Sequence, residues 1–367
     1  MIRTRTAEDL PIPATIDDLT PEWLSAALGI TVRSATQERI GEGVGIVGEL
    51  ARVHLAYEAP HVGPATVVAK MHTRAVDMLP LAVFYGFFTT EVGFYRDTAS
   101  GFGVRTPHCY YADVSDDGSQ CVLLLEDLAG SVAFDQLAGC PPERADVVID
   151  TIAGMHARRW NDESLKEIAW LRPIDNPAYM TVGDQITASL PVLVARHPGL
   201  PEDAVAAARL YAKLLPAMMR WSMTRPFTIS HTDLRLDNLF FDHPDGSALV
   251  ILDWQLTVRG PGSFDMSYFI GQSLTTQDRR AHEQRLVRRW HDALIAHGVH
   301  DYTFTDAWYD YRMGLAAQFG ISASVGLIEP VNERAAKLME SIVVRNFTAA
   351  HEHNVLAMLQ DWQAANT

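Results

Sequence analysis

Ile229-Ser-His-Thr-Asp-Leu-Arg-Leu-Asp-Asn-Leu-Phe-Phe241, with its sequel Val250-Ile-Leu-Asp-Trp-Gln255, decides how this 367-residue chain reads. The first stretch holds His231, Asp233 and Asn238 in the spacing H-x-D-x-x-x-x-N. Fifteen residues after Asn238, an apolar run ends at Asp253. Residues 239–241 and 249–252 read as two short strands joined by the turn His243-Pro-Asp-Gly246. A hairpin there is expected to bring Asn238 and Asp253 to the same end. A lone Asp or Asn in such a turn would serve only to hydrogen-bond backbone. Four polar groups at these spacings suit a more specific chemistry. Phosphoryl transfer asks for a carboxylate to take the acceptor's proton and cations to neutralise the phosphates. Magnesium takes hard oxygen ligands and keeps several waters. Asp233 is the candidate base, and Asn238 and Asp253 are the candidate magnesium ligands.

These motifs resemble the aminoglycoside phosphotransferase / choline-kinase-like superfamily, which shares the protein-kinase plan. The nearest look is to its ecdysteroid-kinase-like and aminoglycoside phosphotransferase-like branches. The resemblance implies the same roles for Asp233, Asn238 and Asp253, with His231 supporting the shape of the catalytic loop. It departs at Thr232, where the family usually has Gly, and Trp254-Gln255 stands where protein kinases have Phe-Gly.

Upstream, Thr20 to Leu28 reads as a helix capped by Thr20 and closed by Gly29. In the segment from Gly41 to Gly48, Gly43, Gly45 and Gly48 match G-x-G-x-x-G, but a strand rather than a helix is expected after it. A glycine loop between strands lets backbone approach phosphates, so Gly43 and Gly45 are candidate nucleotide contacts. The next strand, from Thr66 to Met71, carries Lys70. A helix expected from Val83 to Tyr95 carries Glu91 on an aromatic face, where a carboxylate is costly unless paired. Lys70 and Glu91 resemble the kinase strand lysine and the helix glutamate that orients it. The strands at residues 109–112 and 121–125 lead to Glu126 and Leu128. The resemblance implies that main-chain groups there contact adenine, at the junction of two lobes.

The remainder reads as mostly helical: Pro142 to Trp160, Ala204 to Met223, Thr276 to His297, Phe304 to Gly320 and Asn332 to Leu359. His156 reads as a core histidine. Residues 161–200 carry scattered Pro, Gly and Trp and give no clear pattern. Ser263 is a candidate helix cap, and Asp265 matches an aspartate that braces the catalytic loop in the resembled superfamily.

The expected fold class is α+β and protein-kinase-like. Residues 1–128 would form an antiparallel-sheet lobe and residues 129–367 a helical lobe. The expected function is ATP- and Mg2+-dependent phosphorylation of a hydroxyl on a small molecule, and the aromatic content of the helical part leans towards an apolar acceptor. A nucleotide-binding regulator on the same fold stays open. So does a metal-dependent hydrolase using His231, Asp233 and Asp253, for which His243 is the nearest extra ligand. A net charge of −15 argues against a nucleic-acid partner. Three cysteines at non-ligand spacing make a reducing cytoplasm the default. No apolar run reaches the length of a membrane span, and no signal peptide is visible.

Overall fold

The structure is a computed structural model that describes residues 10–40, 48–59, 62–242 and 248–366. By internal contacts the chain divides into two units. One is Met1–Ser131 with Val250–Leu256, and the other is Val132–Leu249 with Thr257–Thr367. A boundary at residue 128 alone would put Asp253 in the helical part; by contacts, the segment carrying Asp253 groups with the N-terminal unit.

The first unit begins with helix α1 (Pro21–Leu28). The Thr20 hydroxyl caps it, and Gly29 ends it in the left-handed region with φ 71°. Strands β1 (Val32–Ile40), β2 (Gly48–Tyr57) and β3 (Thr66–His72) follow. Next come helices α2 (Leu79–Tyr85) and α3 (Phe87–Gly93), then β4 (Cys109–Val114) and β5 (Cys121–Glu126). The five strands form one antiparallel sheet in the order β1-β2-β3-β5-β4. Period-two alternation sets its faces. Ala51, Val53, Leu55, Val67, Ala69 and Met71 form a core with Trp23 and Leu24 of α1. Lys70, one residue out of phase with Ala69 and Met71, belongs to the opposite face.

The single helix expected from Val83 to Tyr95 is two. Gly86, at φ 71°, stops α2, and its N–H bonds the carbonyls of Ala82 and Val83. Only glycine adopts that backbone without penalty. After Gly93 the chain widens into a π turn over Phe94–Thr98. The glycines Gly43 and Gly45 lie outside the described residues, as does the turn containing His243.

The second unit opens with β6 (Val132–Ala133) and α4 (Pro142–Arg158). The stretch that gave no clear pattern folds into the short helices α5 (Pro177–Met180) and α6 (Val182–Arg196), before α7 (Glu202–Ser222). Within the motif segment, residues 231–235 lie outside regular structure. Strand β7 (Thr228–Ser230) leads in, a 3-10 turn spans Leu236–Asn238, and β8 (Leu239–Phe241) leads out. β8 pairs antiparallel with β6. Strand β9 (Leu249–Ile251) carries the chain towards Asp253, and β10 (Val258–Gly260) pairs antiparallel with β7.

Helices α8 (Gly262–Tyr268), α9 (Thr276–Ala296), α10 (Phe304–Ala317), α11 (Phe319–Gly326), α12 (Glu333–Glu352) and α13 (Val355–Asn366) complete the unit. Ser263 does not cap α8: it lies inside the helix, and Pro261 precedes the first residue. The helix expected from Asn332 to Leu359 breaks at Asn354, which sits at φ 52°. Asn332 caps it by accepting the Ala335 N–H at 2.8 Å. No helix among the described residues is long and apolar enough to cross a membrane.

Candidate active site

In the first unit, the sheet and α3 bring Lys70, Glu91 and Asp253 together. The Lys70 ammonium donates to Glu91 Oε1 and to Asp253 Oδ1, each at 2.8 Å. Glu91 is 2% exposed. Burial opposes the Lys70 charge, but the carboxylates of Asp253 and Glu91 outweigh it and push the ammonium above its usual range. Burial also pushes the Glu91 carboxyl up, to about 7, against the pull of Lys70. Two carboxylates share one cation here, and the more deeply buried one is the harder to ionise. Glu91 also takes a main-chain hydrogen bond from Trp254. The Trp254 indole stacks on Phe94, with centroids 3.9 Å apart and planes 8° from parallel, while its Nε1–H donates to the Ile251 carbonyl. Asp253 itself sits at φ 61°. A short polar residue tolerates that conformation better than a branched one.

Glu126 ends β5 of the same sheet, and Leu128 lies just beyond it. Arg105 grips the Glu126 carboxylate through two bonds of 2.7 Å, and the His108 N–H adds a third at 2.9 Å. The Glu126 N–H is engaged by the His108 carbonyl, and Leu128 accepts the Ser131 N–H. These contacts hold the segment's path.

In the second unit, the motif segment is pinned from behind by Asp265, the central residue of α8. Its Oδ2 accepts the His231 N–H at 2.7 Å, and its Oδ1 accepts the Thr232 N–H at 2.7 Å and the Ser230 hydroxyl at 2.9 Å. His156 Nε2 stands 3.1 Å from Oδ2. The Trp290 indole N–H donates to His156 Nδ1, so the His156 proton sits on Nε2 and faces Asp265. Burial favours a neutral Asp265, yet His156 and these other donors hold its carboxyl below the usual range. His156 is thus a core histidine, and it completes the bracing of Asp265.

The loop then turns back on itself. His231 Nδ1 accepts the Asp233 N–H at 3.2 Å. Asn238 Nδ2 donates to the Asp233 carbonyl at 2.8 Å and to Asp233 Oδ2 at 3.0 Å. The Tyr268 hydroxyl donates to Asp233 Oδ1 at 3.1 Å. Arg235 Nε is 3.5 Å from the same oxygen.

One residue is strained. Thr232 sits at φ 64°, left-handed backbone that a β-branched side chain rarely adopts. Glycine, usual here in the resembled superfamily, fits without penalty. Such strain costs about 1–3 kcal/mol, and glycine loses about 0.4–1 kcal/mol more chain entropy on folding. Thr232→Gly is expected to stabilise the protein by about 1 kcal/mol. A urea midpoint that fails to rise, at unchanged slope, would contradict this.

Several partners were not visible in the sequence. Gln136, between β6 and α4, accepts the Leu236 N–H at 2.8 Å and donates to the Gln272 carbonyl at 2.7 Å. Arg345 of α12 donates to the carbonyls of Gln136, Gln272 and Leu137. Partners so far apart along the chain leave no local signal. Tyr268 does leave one: it follows Asp265 by three residues, which puts both on one face of α8. Of the expected site residues, the fold joins Lys70, Glu91 and Asp253 in one cluster, and His231, Asp233 and Asn238 in another. Asn238 belongs to the second unit and Asp253 to the first.

A sequence model described as the ecdysteroid kinase-like family matches residues 42–300, which include Lys70, Glu91, the motif segment and Asp253. The chain belongs to the ecdysteroid kinase-like family. An uncharacterized kinase-like protein of Caenorhabditis elegans is 25% identical over 232 residues, which cover 60% of this chain. The match spans 61% of that curated relative's length. Among solved structures, an aminoglycoside phosphotransferase candidate from Ralstonia eutropha superposes with a TM-score of 0.51 at 15% identity, covering 90% of this chain and 97% of that one. A choline kinase from Streptococcus pneumoniae gives 0.48 at 13% identity, covering 89% and 97%. The fold of this ecdysteroid kinase-like chain is the kinase-like α+β fold, with an antiparallel sheet in the first unit and helices dominating the second.

Proposed function

We propose that this ecdysteroid kinase-like chain is a phosphotransferase that moves the γ-phosphate of ATP to a hydroxyl of a small molecule, with magnesium. The observation that carries the reading is the Lys70–Glu91–Asp253 cluster. A cation held on two sides by carboxylates, within an apolar strand, is costly to build for stability alone. It is well suited to receiving phosphate oxygens, since one carboxylate can orient the lysine while the other turns to a metal. Lys70, fixed by Glu91, orients the phosphates. Asp233 aligns the acceptor hydroxyl and takes its proton. His231 shapes the loop through Nδ1. Gly43 and Gly45 would cover the phosphates, and main-chain groups at Glu126 and Leu128 would contact the base.

The donor set fits magnesium. Asn238 has committed its amide nitrogen to Asp233, so the group it has left to offer is a carbonyl oxygen. The Asp253 side chain is 28% exposed, so its carboxylate keeps access to solvent. One carboxylate and one amide oxygen, with water and phosphate oxygens, make the all-oxygen shell that the ion prefers. Asp253 and Asn238 are the proposed ligands. When bound, the metal supplies charge neutralisation at the phosphates. The acceptor is a small hydroxylated molecule, with an apolar one favoured by the aromatic side chains of the second unit.

Thermal unfolding with and without Mg-ATP tests the reading. A ligand bound only by the native state raises the midpoint. At a concentration 100 times its dissociation constant the gain is about 2.7 kcal/mol. The wild type is expected to show a magnesium-dependent rise that Asp253→Ala loses, and then to release ADP against some member of a panel of hydroxylated compounds. No rise at saturating nucleotide would count against both the kinase and the regulator readings. A rise with no ADP release from any acceptor would favour the regulator.

A further inference from the structure

We propose that Tyr268 is a positioning residue for phosphoryl transfer, its phenolic O–H fixing the rotation of the Asp233 carboxylate. The inference rests on the phosphotransferase reading of Asp233 and adds to it a residue that the motif does not contain. Rotation of a carboxylate about its last torsion is broad and close to two-fold. One hydrogen bond leaves that torsion loose, whereas bonds to both oxygens define it. Asn238 holds Oδ2 at 3.0 Å, and Tyr268 holds Oδ1 at 3.1 Å. Arg235 Nε, at 3.5 Å from Oδ1, adds charge rather than a directed bond.

The phenol is itself held in place. Tyr268 is 2% exposed, and its ring lies stacked against Phe264, with centroids 6.1 Å apart and planes 18° from parallel. Burial and the neighbouring Asp233 charge keep the phenol protonated, so it acts as a donor throughout the physiological range. Helix α8 therefore grips the loop twice. Asp265 holds its main chain, and Tyr268, one turn later, holds its reactive side chain. A general base works only when its lone pair reaches the acceptor proton at about 2.6–3.2 Å, and misplacement by about 1 Å can cost on the order of 100-fold in rate.

Tyr268→Phe keeps the ring and removes only the donor. Its thermal midpoint is expected to stay near the wild-type value, and its KM for Mg-ATP within about twofold, while kcat falls about 10- to 100-fold. A ring that merely fills space would leave kcat where it was, and wild-type kcat in Tyr268→Phe alongside an impaired Asp233→Asn would overturn this proposal alone. Asp233→Asn turning over at the wild-type rate would instead sink the phosphotransferase reading, and this inference with it. A readout independent of turnover is the Cζ resonance of 13C-labelled Tyr268. It is expected to move in Asp233→Ala, and an unmoved resonance would show that the bond to Asp233 does not form.

Discussion

Asp233→Asn is expected to lower turnover on the order of 10²–10⁴-fold, the usual contribution of a positioned general base. The variant should leave the Mg-ATP-induced rise in unfolding midpoint close to that of the wild type. The substitution keeps the shape of the side chain and an acceptor oxygen for Tyr268, but removes the charge and the basicity. Asn238, which donates to both the main chain and the side chain of Asp233, retains its main-chain partner. The loop is therefore expected to keep its path while losing its chemistry. Steady-state ADP release with the acceptor found for the wild type, measured beside thermal shifts with nucleotide, separates the two effects. Full turnover in the variant would remove Asp233 from the mechanism. Loss of the nucleotide-induced rise would recast it as a binding residue.

The second large effect is on stability. Asp265→Ala is expected to cost about 3–5 kcal/mol, the range seen when one partner of a buried charged network is deleted. Asp265 is fully buried, and its two oxygens serve the N–H groups of His231 and Thr232, the Ser230 hydroxyl and His156. Alanine would strand these donors away from water. Residues 231–235 have no ladder or helix to fall back on, so activity should vanish with the brace even where the variant folds. The same group predicts a pH dependence. Its folded pKa lies below the ordinary aspartate value. It therefore contributes stability that is fully present above about pH 4, the unfolded value, and is lost as pH falls through the depressed folded value. Urea unfolding of wild type and Asp265→Asn from neutral pH into acid should show the difference between them shrinking as pH drops. A constant gap would mean that the carboxylate charge is not what the loop needs.

The motif segment stood out in the sequence because its polar groups are local: His231, Asp233 and Asn238 lie at short spacings between apolar residues. Lys70 and Glu91 were legible for a different reason. Each is a charge in an apolar setting, and such charges need partners. That Lys70 also pairs with Asp253 was not legible, since no pattern in either segment names a partner 183 residues away. Gly86 was legible in principle as a break in the aromatic helix, but the continuous apolar face on both sides of it masked the stop. Gln136 and Arg345 belong to tertiary structure alone, whereas Tyr268 was marked in the sequence by its place one turn after Asp265. Ser263 carried a valid capping signal that the helix did not use, because Pro261 and Gly262 had already set its start.

Arg345 bears on where a functional fragment of this chain could end. It is a largely buried cation held by three main-chain carbonyls, and through Gln136 it reaches the turn that starts at Leu236. Yet it lies 45 residues beyond the end of the segment matched by the family, residues 42–300. The span that the family model matches is thus shorter than the span that braces the motif segment. A polypeptide trimmed to the matched region would keep Lys70, Glu91, Asp233, Asn238 and Asp253 and lose the strut behind the motif segment. Truncation from the C-terminus should therefore loosen the motif segment once α12 is lost, well before any residue of the motif is touched.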